Sequence, residues 1–323
     1  MFAAGVRLAN QNAVEPPQAE CVVRAQQTLG RTACITALLV VATVTGCWFP
    51  NHHLVHPETR PEGLVTWTED VTQGALLIHL EGARPPGPGP FPAVLVHPEG
   101  GKTASDMSGV VWDLAARGYV AIAADYERRI DGQYRRTLFA WRSTGDVTAA
   151  LAVVEQQPEV DRSRIAALGF SQGGVYSLLI AAHAPERVRA VVAYYPVTDF
   201  PHWLSAPRAN PLRGWVQSVV RWYFRRESHA GSEEEFQQML RAASPYYVAD
   251  SIRAPVLLVH GDSDTTAPVE ESQRMAERLE ANGCEVRLLI VPGGVHIFNF
   301  RQHDKAAAAW AETVDWLATH LLP

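Results

Sequence analysis

Short apolar runs alternate with segments of helical pattern through most of the chain. Uninterrupted apolar strands separated by helices are typical of a mostly parallel sheet that helices cover on both faces. In such open sheets, ligands bind at the carboxyl ends of the strands, so we expect the site residues directly after them. The predicted strands are residues 64–69, 75–80, 93–96, 119–124, 164–169, 188–194, 256–260 and 286–291, and the predicted helices are residues 105–117, 144–157, 172–184, 269–282 and 305–321.

The alternation stops between about Asp199 and Asp250, directly after the sixth predicted strand. This segment is rich in aromatic residues, and we interpret it as a helical insertion close to the site. Because acyl pockets have apolar walls, the insertion is expected to form a substrate lid, with Trp203, Trp222 and Tyr194 in the pocket. Alternatively, the aromatic side chains form only a small core within the insertion.

The first part of the chain has a different pattern. Sixteen residues from Thr32 to Cys47 carry no charge, and Arg24 and Arg31 precede them. Sixteen residues give about 24 Å of helix, which is short for a bilayer core of about 30 Å. A basic flank, a short apolar stretch and a small-residue end are typical of a secretory signal. The last four residues, Val-Thr-Gly-Cys, resemble a bacterial lipobox, which implies lipidation of Cys47 and a membrane-anchored lipoprotein of the cell envelope.

Two alternatives to the lipoprotein interpretation are an ordinary signal peptide and an uncleaved anchor, and the start site itself could be over-extended. We therefore divide the chain into a signal region, residues 1–46, a tether rich in His and Pro, residues 47–62, and a catalytic domain, residues 63–323 with its insertion at 199–250. If the signal is removed, Cys47 and Cys284 are the only cysteines left, so no disulfide framework is expected.

Composition excludes one class of partner. The 323 residues are 47% hydrophobic and 19% charged, which suits one large domain with a substantial core. The formal net charge is −6, and no block of Lys or Arg is present. Nothing is arranged to neutralise phosphates, so we do not expect a nucleic acid partner.

The strongest chemical signal is the sequence Gly-Phe-Ser-Gln-Gly-Gly at residues 169–174, between an apolar strand and an apolar helix. A serine flanked by glycines two residues away on each side fits a sharp strand-to-helix turn that exposes its hydroxyl. The helix N-terminus behind it points backbone N–H groups towards any oxyanion that forms there. This pattern predicts Ser171 as a nucleophile.

A serine nucleophile needs a base, and the base needs an orienting acid. In α/β-hydrolases these follow the serine in the order acid, then histidine. Of the three histidines beyond residue 264, His303 and His320 lie in the terminal helix pattern, whereas His296 lies in a glycine-rich loop after a strand. Two carboxylates compete for the acid role, Asp262 and Asp264, and an Asp in such a turn often only bonds the backbone of its own loop.

An oxyanion hole requires two donors. The backbone N–H of Gln172, directly after the nucleophile, is expected to be one. The second is expected from the loop His97-Pro98-Glu99-Gly100-Gly101 after an earlier strand. Pro98 has no N–H group, which leaves the backbone N–H of Glu99 as the best candidate.

From about residue 92 to its end, the chain resembles the α/β-hydrolase superfamily in its dienelactone-hydrolase and prolyl-oligopeptidase-like branches. The motifs that carry the resemblance are Gly145-Asp146-Val147, the segment 158–165 leading into the Ser171 turn, and the His-Gly-Asp-Ser-Asp loop at 260–264. In both branches the last Asp of that loop is the triad acid, which implies Asp264. Two departures matter: dienelactone hydrolases typically use Cys as nucleophile, and this chain is too short for the propeller of prolyl oligopeptidases.

The resemblance and the residues together lead us to expect a serine hydrolase that acts on a small-molecule ester, with Ser171, His296 and Asp264 as its triad and without metal or organic cofactor. Two alternatives remain open. One is a small peptidase that uses the same triad, and the other is a non-catalytic envelope protein on a hydrolase scaffold.

Overall fold

The computed structural model describes residues 52–137, 141, 143–206 and 211–322. The signal region, Cys47 and the first residues of the predicted tether lie outside this part of the chain. The strands are β1 (Val65–Gln73), β2 (Leu76–Arg84), β3 (Phe91–His97), β4 (Val120–Ile130), β5 (Gln133–Arg135), β6 (Val160–Phe170), β7 (Ala190–Tyr194), β8 (Val256–Gly261) and β9 (Val286–Val291). The helices are α1 (Ser108–Ala116), α2 (Thr144–Val147), α3 (Ala149–Gln156), α4 (Gln172–His183), α5 (Phe200–Ser205), α6 (Pro211–Ser228), α7 (Glu233–Ala242), α8 (Glu270–Ala281) and α9 (His303–Leu321).

All nine strands described belong to one sheet, in the order β1-β2-β4-β3-β6-β7-β8-β9, with β5 paired to β4. From β4 to β9 along this order the neighbours are parallel, whereas β2 pairs antiparallel with both β1 and β4. The sequence predicted this mostly parallel sheet. It missed β5, a three-residue strand that pairs antiparallel with the end of β4.

Two buried clusters cover the two faces of the sheet. Alternate residues of β3 point to opposite clusters: Leu95 packs with α3, α4 and α8, and Val96 packs with α1 and α9. Both residues are fully buried, as expected for a parallel strand with helices on each side. The fold therefore has three layers, with helices on both faces of the sheet as the alternating pattern predicted. It is the α/β-hydrolase architecture that the family resemblance implied.

The predicted insertion consists of α5, α6, α7 and a 3-10 helix at Pro245–Ser251. It has a small core of its own, formed by Leu204, Phe224, Phe236 and Leu240. This is the arrangement that we gave as the alternative to a lid, and it accounts for part of the aromatic content. No helix in the described residues is both long and apolar enough to cross a membrane.

The tether prediction is wrong for the residues that the structure describes. His53 and His56 are buried, and the backbone N–H of Leu54 donates to the carbonyl of Asn299 at 2.9 Å. The His56 ring packs edge-on against Trp310 of α9. The faces of a histidine ring are largely apolar. Buried histidines can therefore anchor a segment whose sequence is polar and shows no helix or strand pattern.

Candidate active site

Ser171 occupies a strained turn between β6 and α4. Its φ of 50° and ψ of −112° lie outside the regions that residues with a side chain ordinarily adopt, at a cost of about 1–3 kcal/mol. Its backbone N–H donates to the carbonyl of Tyr194 at the end of β7, at 2.8 Å. A Cβ atom at Gly169 would lie 2.0 Å from the Gly173 carbonyl oxygen, and one at Gly173 would lie 2.2 Å from the His97 carbonyl oxygen. The two glycines therefore allow the close backbone approach that the turn requires.

Three loops bring Ser171, His296 and Asp264 together. The Ser171 Oγ lies 3.1 Å from His296 Nε2, and His296 Nδ1 lies 2.6 Å from Asp264 Oδ2. Asp264 follows β8 and His296 follows β9, which are parallel neighbours in the sheet. The serine, histidine and aspartate thus form a continuous hydrogen-bonded chain at one edge of the sheet, the arrangement that a nucleophile, its base and an orienting acid require.

The other carboxylate oxygen of Asp264 is fixed by the backbone. Its Oδ1 accepts hydrogen bonds from the N–H groups of Thr266 at 2.8 Å and Ala267 at 2.9 Å. Burial alone would raise the pKa of this carboxyl, but the charge of His296 and the contacts with His260 and His296 lower the pKa to about 2. Asp264 is therefore an anion at neutral pH and faces His296 in one orientation.

Asp262 has the loop-shaping contacts that competed with the acid role in the sequence. Its Oδ1 accepts from the backbone N–H of Gly293 at 2.7 Å and from the Ser263 hydroxyl at 3.1 Å, and its side chain is exposed. It links the loop after β8 to the loop after β9 without touching His296 in any contact described.

Sequence reasoning did not single out His260, which is fully buried behind Asp264. Its Nε2 lies 2.8 Å from the carbonyl of Ala267 and 3.5 Å from Asp264 Oδ2, and its Nδ1 lies 2.7 Å from the Ser272 hydroxyl. A carbonyl oxygen can only accept, so Nε2 carries a proton and donates it to Ala267. His260 thereby joins the acid loop to α8. The sequence feature that could have identified His260 is its position at the end of the apolar strand β8.

The loop proposed to supply the second oxyanion donor packs against the first turn of α4. The carbonyl oxygens of His97 and Pro98 lie against Gly173, and Gly100 lies beside the side chain of Gln172. His97 itself is fully buried and its Nε2 lies 2.8 Å from the Tyr126 hydroxyl, while burial lowers its pKa to about 3. A neutral, buried His97 fits the supporting role that we expected for it.

The three predicted pocket residues have different positions. Tyr194 is not a pocket residue: its side chain is fully buried, and its hydroxyl donates to the carbonyl of Ala309 in α9 at 3.0 Å. Trp222 is 46% exposed on the side of α6 opposite the buried Phe224, since residues two apart in a helix point about 200° apart. Because Trp222 is exposed on this side of the helix, none of its described contacts supports a role in the pocket.

Trp203 is the pocket candidate that touches the site loops. Its indole Nε1 donates to the carbonyl of Thr266 at 2.8 Å, and the N–H of the same Thr266 donates to Asp264. The insertion is therefore attached to the acid loop through one side chain. Trp203 is half-buried, so part of its ring remains accessible.

Comparison with known sequences identifies the family to which this site belongs. The sequence profile of the dienelactone hydrolase family matches residues 81–321, which include Ser171, Asp264 and His296. The chain belongs to the dienelactone hydrolase family. It is accordingly a hydrolase. A serine nucleophile is typical of its branch of the fold, so Ser171 is not the departure that the sequence alone suggested.

Relatives of this dienelactone hydrolase family member carry different activity names. It is 26% identical over 199 residues to the uncharacterized peptidase YtmA of Bacillus subtilis, covering 61% of this chain and 73% of that protein. It is 26% identical over 275 residues to a Methylorubrum extorquens protein provisionally named carboxymethylenebutenolidase, covering 80% and 82%. Among solved structures, the acylaminoacyl peptidase of Pyrococcus horikoshii superposes with a TM-score of 0.64 at 18% identity.

The match to that peptidase covers 80% of this chain but 42% of the peptidase. The chain likewise spans 23% of the acylamino-acid-releasing enzyme of Mus musculus, to which it is 27% identical over 185 residues. The structural likeness therefore concerns the hydrolase fold. It does not assign the activity of the longer enzymes to this chain.

Proposed function

We propose that this protein is a serine hydrolase that cleaves carboxylic esters through an acyl-enzyme intermediate. The observation that carries the proposal is the hydrogen-bond chain from Ser171 Oγ through His296 to the Asp264 carboxylate, with distances of 3.1 and 2.6 Å. Asp264 holds the Nδ1–H side of the imidazole, which leaves Nε2 free of a proton and directed at the serine hydroxyl.

In the proposed first half-reaction, Ser171 Oγ attacks the ester carbonyl and His296 Nε2 takes its proton. The backbone N–H groups of Gln172 and Glu99 stabilise the oxyanion of the tetrahedral intermediate. The intermediate then collapses, and the alcohol leaves with the proton that His296 returns. In the second half-reaction, water gives a proton to His296 and attacks the acyl carbonyl. The tetrahedral intermediate then collapses, His296 returns the proton to Ser171 Oγ, and the carboxylic acid is released.

A peptidase is the second candidate, because two of the similar proteins are named as peptidases. The same three side chains support both reactions, but they differ in the leaving group. An alcohol leaves a tetrahedral intermediate readily, whereas an amine leaves only after it has been protonated. We favour esters because the family profile is that of dienelactone hydrolases and because the chain matches less than half of the solved acylaminoacyl peptidase.

The experiment compares Ser171→Ala with Ser263→Ala. Ser263 is an exposed serine in the acid loop whose hydroxyl donates to Asp262, so it provides a matched control. The Ser171 variant should lose both fluorophosphonate labelling and hydrolysis, and the Ser263 variant should keep both. A matched ester and amide with the same acyl group then separates the two candidates by kcat/KM. Preference for the amide would replace the esterase proposal with the peptidase, and turnover by the Ser171 variant would overturn both.

A further inference from the structure

His53 occupies a buried position behind the candidate site, in the segment that the sequence predicted to be a tether. Its ring centroid lies 4.5 Å from that of Phe170 and 4.3 Å from that of Phe300, and its Nε2 lies 3.3 Å from Glu99 Oε1. Only 2% of the residue is exposed, so the ring is enclosed by these neighbours. A single side chain therefore contacts three separate parts of the chain.

Each of these neighbours lies close in the chain to a residue of the proposed machinery. Phe170 directly precedes Ser171, and Phe300 follows His296 by four residues. Glu99 is the residue whose backbone N–H we propose as the second oxyanion donor. His53 is thus placed to hold the nucleophile turn, the base loop and the oxyanion loop at fixed distances from one another.

The Glu99 side chain extends this connection towards the base. Its carboxylate is buried and accepts a hydrogen bond from the Tyr195 hydroxyl at 3.1 Å, next to its contact with His53. The Tyr195 ring in turn packs against the His296 ring with centroids 5.0 Å apart. The Glu99 carboxylate therefore has His53 on one side and Tyr195 on the other, and we infer that these two contacts restrict the position of its backbone N–H group.

We propose that His53 is a positioning residue for the oxyanion hole, acting through Glu99 and resting on the serine hydrolase function proposed above. An oxyanion donor works only if it stands at hydrogen-bond distance from the charge that develops in the transition state. Loss of the His53 contact releases one side of Glu99 and lets the oxyanion loop move away from Ser171.

The same segment contains a control for burial alone. His56 is three residues further on and 5% exposed, but its ring packs on Trp310 and its Nδ1 lies 3.5 Å from Asp113, at α1 and α9. Apart from a ring contact with His53 itself, with centroids 5.6 Å apart, the described contacts of the His56 side chain lie outside the three site loops. A purely structural role of the segment would make the two histidines equivalent, whereas the positioning role makes only His53 matter for the chemical step.

The experiment measures kcat, KM and melting temperature for His53→Leu, His53→Gln, His56→Leu and Ser171→Ala, below the unfolding temperature of each variant. His53→Leu keeps apolar packing but removes the nitrogen that faces Glu99. We expect kcat to fall by about 10- to 100-fold with KM little changed, because displacement by ~1 Å from a distant mutation can cost that much. His53→Gln, whose amide can still reach Glu99, should recover most of the loss.

An alkyl boronic acid forms a tetrahedral adduct on the serine oxygen. Its inhibition constant, measured on folded protein, does not depend on the stability of the fold. Its inhibition constant should rise in His53→Leu by a factor similar to the fall in kcat, and stay unchanged in His56→Leu. The proposal is overturned if His53→Leu lowers only the melting temperature, or if His56→Leu lowers kcat as strongly. If Ser171→Ala still turns over substrate, the serine hydrolase proposal itself fails and the positioning role fails with it.

Discussion

Replacing Asp264 by Asn should abolish most of the activity, because the two oxygens of the Asp264 carboxylate have different partners. Oδ1 accepts from two backbone N–H groups, those of Thr266 and Ala267. An Asn side chain can satisfy them only with its carbonyl oxygen, so its NH2 group must take the place of Oδ2 and face His296 Nδ1. The NH2 group is a donor, and Nδ1 must then accept.

The consequence is a change of tautomer in His296. If Nδ1 accepts, the proton of the neutral ring moves to Nε2, which points at Ser171 and can no longer take the serine proton. The same substitution in a well-studied Ser-His-Asp triad lowers kcat by about 10⁴-fold, which corresponds to about 5.4 kcal/mol in the activation barrier. We expect a loss of this size in kcat for a simple ester.

Asp262→Asn provides the matched comparison. The carbonyl oxygen of its amide can still accept from the backbone N–H of Gly293, so the loop should keep its shape and kcat should stay within a few-fold of the wild type. Steady-state kinetics on purified variants, with circular dichroism as a folding check, measures both. If Asp262→Asn causes the larger loss, or if Asp264→Asn stays within tenfold of wild type, the acid has been assigned to the wrong carboxylate.

Three further predictions concern stability, selectivity and attachment. Because burial lowers the pKa of His97 from 6.5 to about 3, the unfolded chain binds this proton first as the pH falls. His97 should therefore remove about 2 kcal/mol of stability between about pH 7 and pH 5, and His97→Gln should reduce that loss in urea unfolding at the two pH values; an equal loss in both proteins would contradict this. If the insertion controls substrate access, Trp203→Ala should change the ratio of kcat/KM between short-chain and long-chain esters, whereas Trp222→Ala should not; the idea fails if neither variant, or only Trp222→Ala, changes it. We also propose that Cys47 carries a lipid, so Cys47→Ser should release the protein from membrane fractions or block its processing, and a variant that stays membrane-bound at normal mature size would refute it.

The parallel sheet, Ser171 and His296 could be predicted because they depend on local patterns, whereas the choice of Asp264 over Asp262 came from the family resemblance. A parallel strand buried on both faces needs an unbroken apolar run, and β8 shows one directly before the acid loop. Ser171 was recognisable since its turn imposes glycine at fixed positions on either side, and the structure shows the backbone contacts that exclude a larger residue there.

The predictions that failed concern contacts between distant parts of the chain. Nothing in the local sequence of His53 indicates that Phe170 and Phe300 will enclose it, so a segment rich in His and Pro was interpreted as a tether. Tyr194 failed for a related reason. It ends a strand at the correct edge of the sheet, but its side chain points to α9, and the direction depends on the strand register rather than on the strand end.

The packing of the segment that contains His53 and His56 also has a consequence for the order in which the protein folds. His56 contacts Trp310, which lies 254 positions later in the chain (310 − 56), and His53 contacts Phe300. During synthesis the segment emerges early, yet its binding surface does not exist until the last helix and the turn before it have been made. Contacts of such long sequence separation form late because the intervening chain must first be ordered. The contacts that support the oxyanion loop are therefore expected to be among the last to form, after the strands and helices that they join have been ordered.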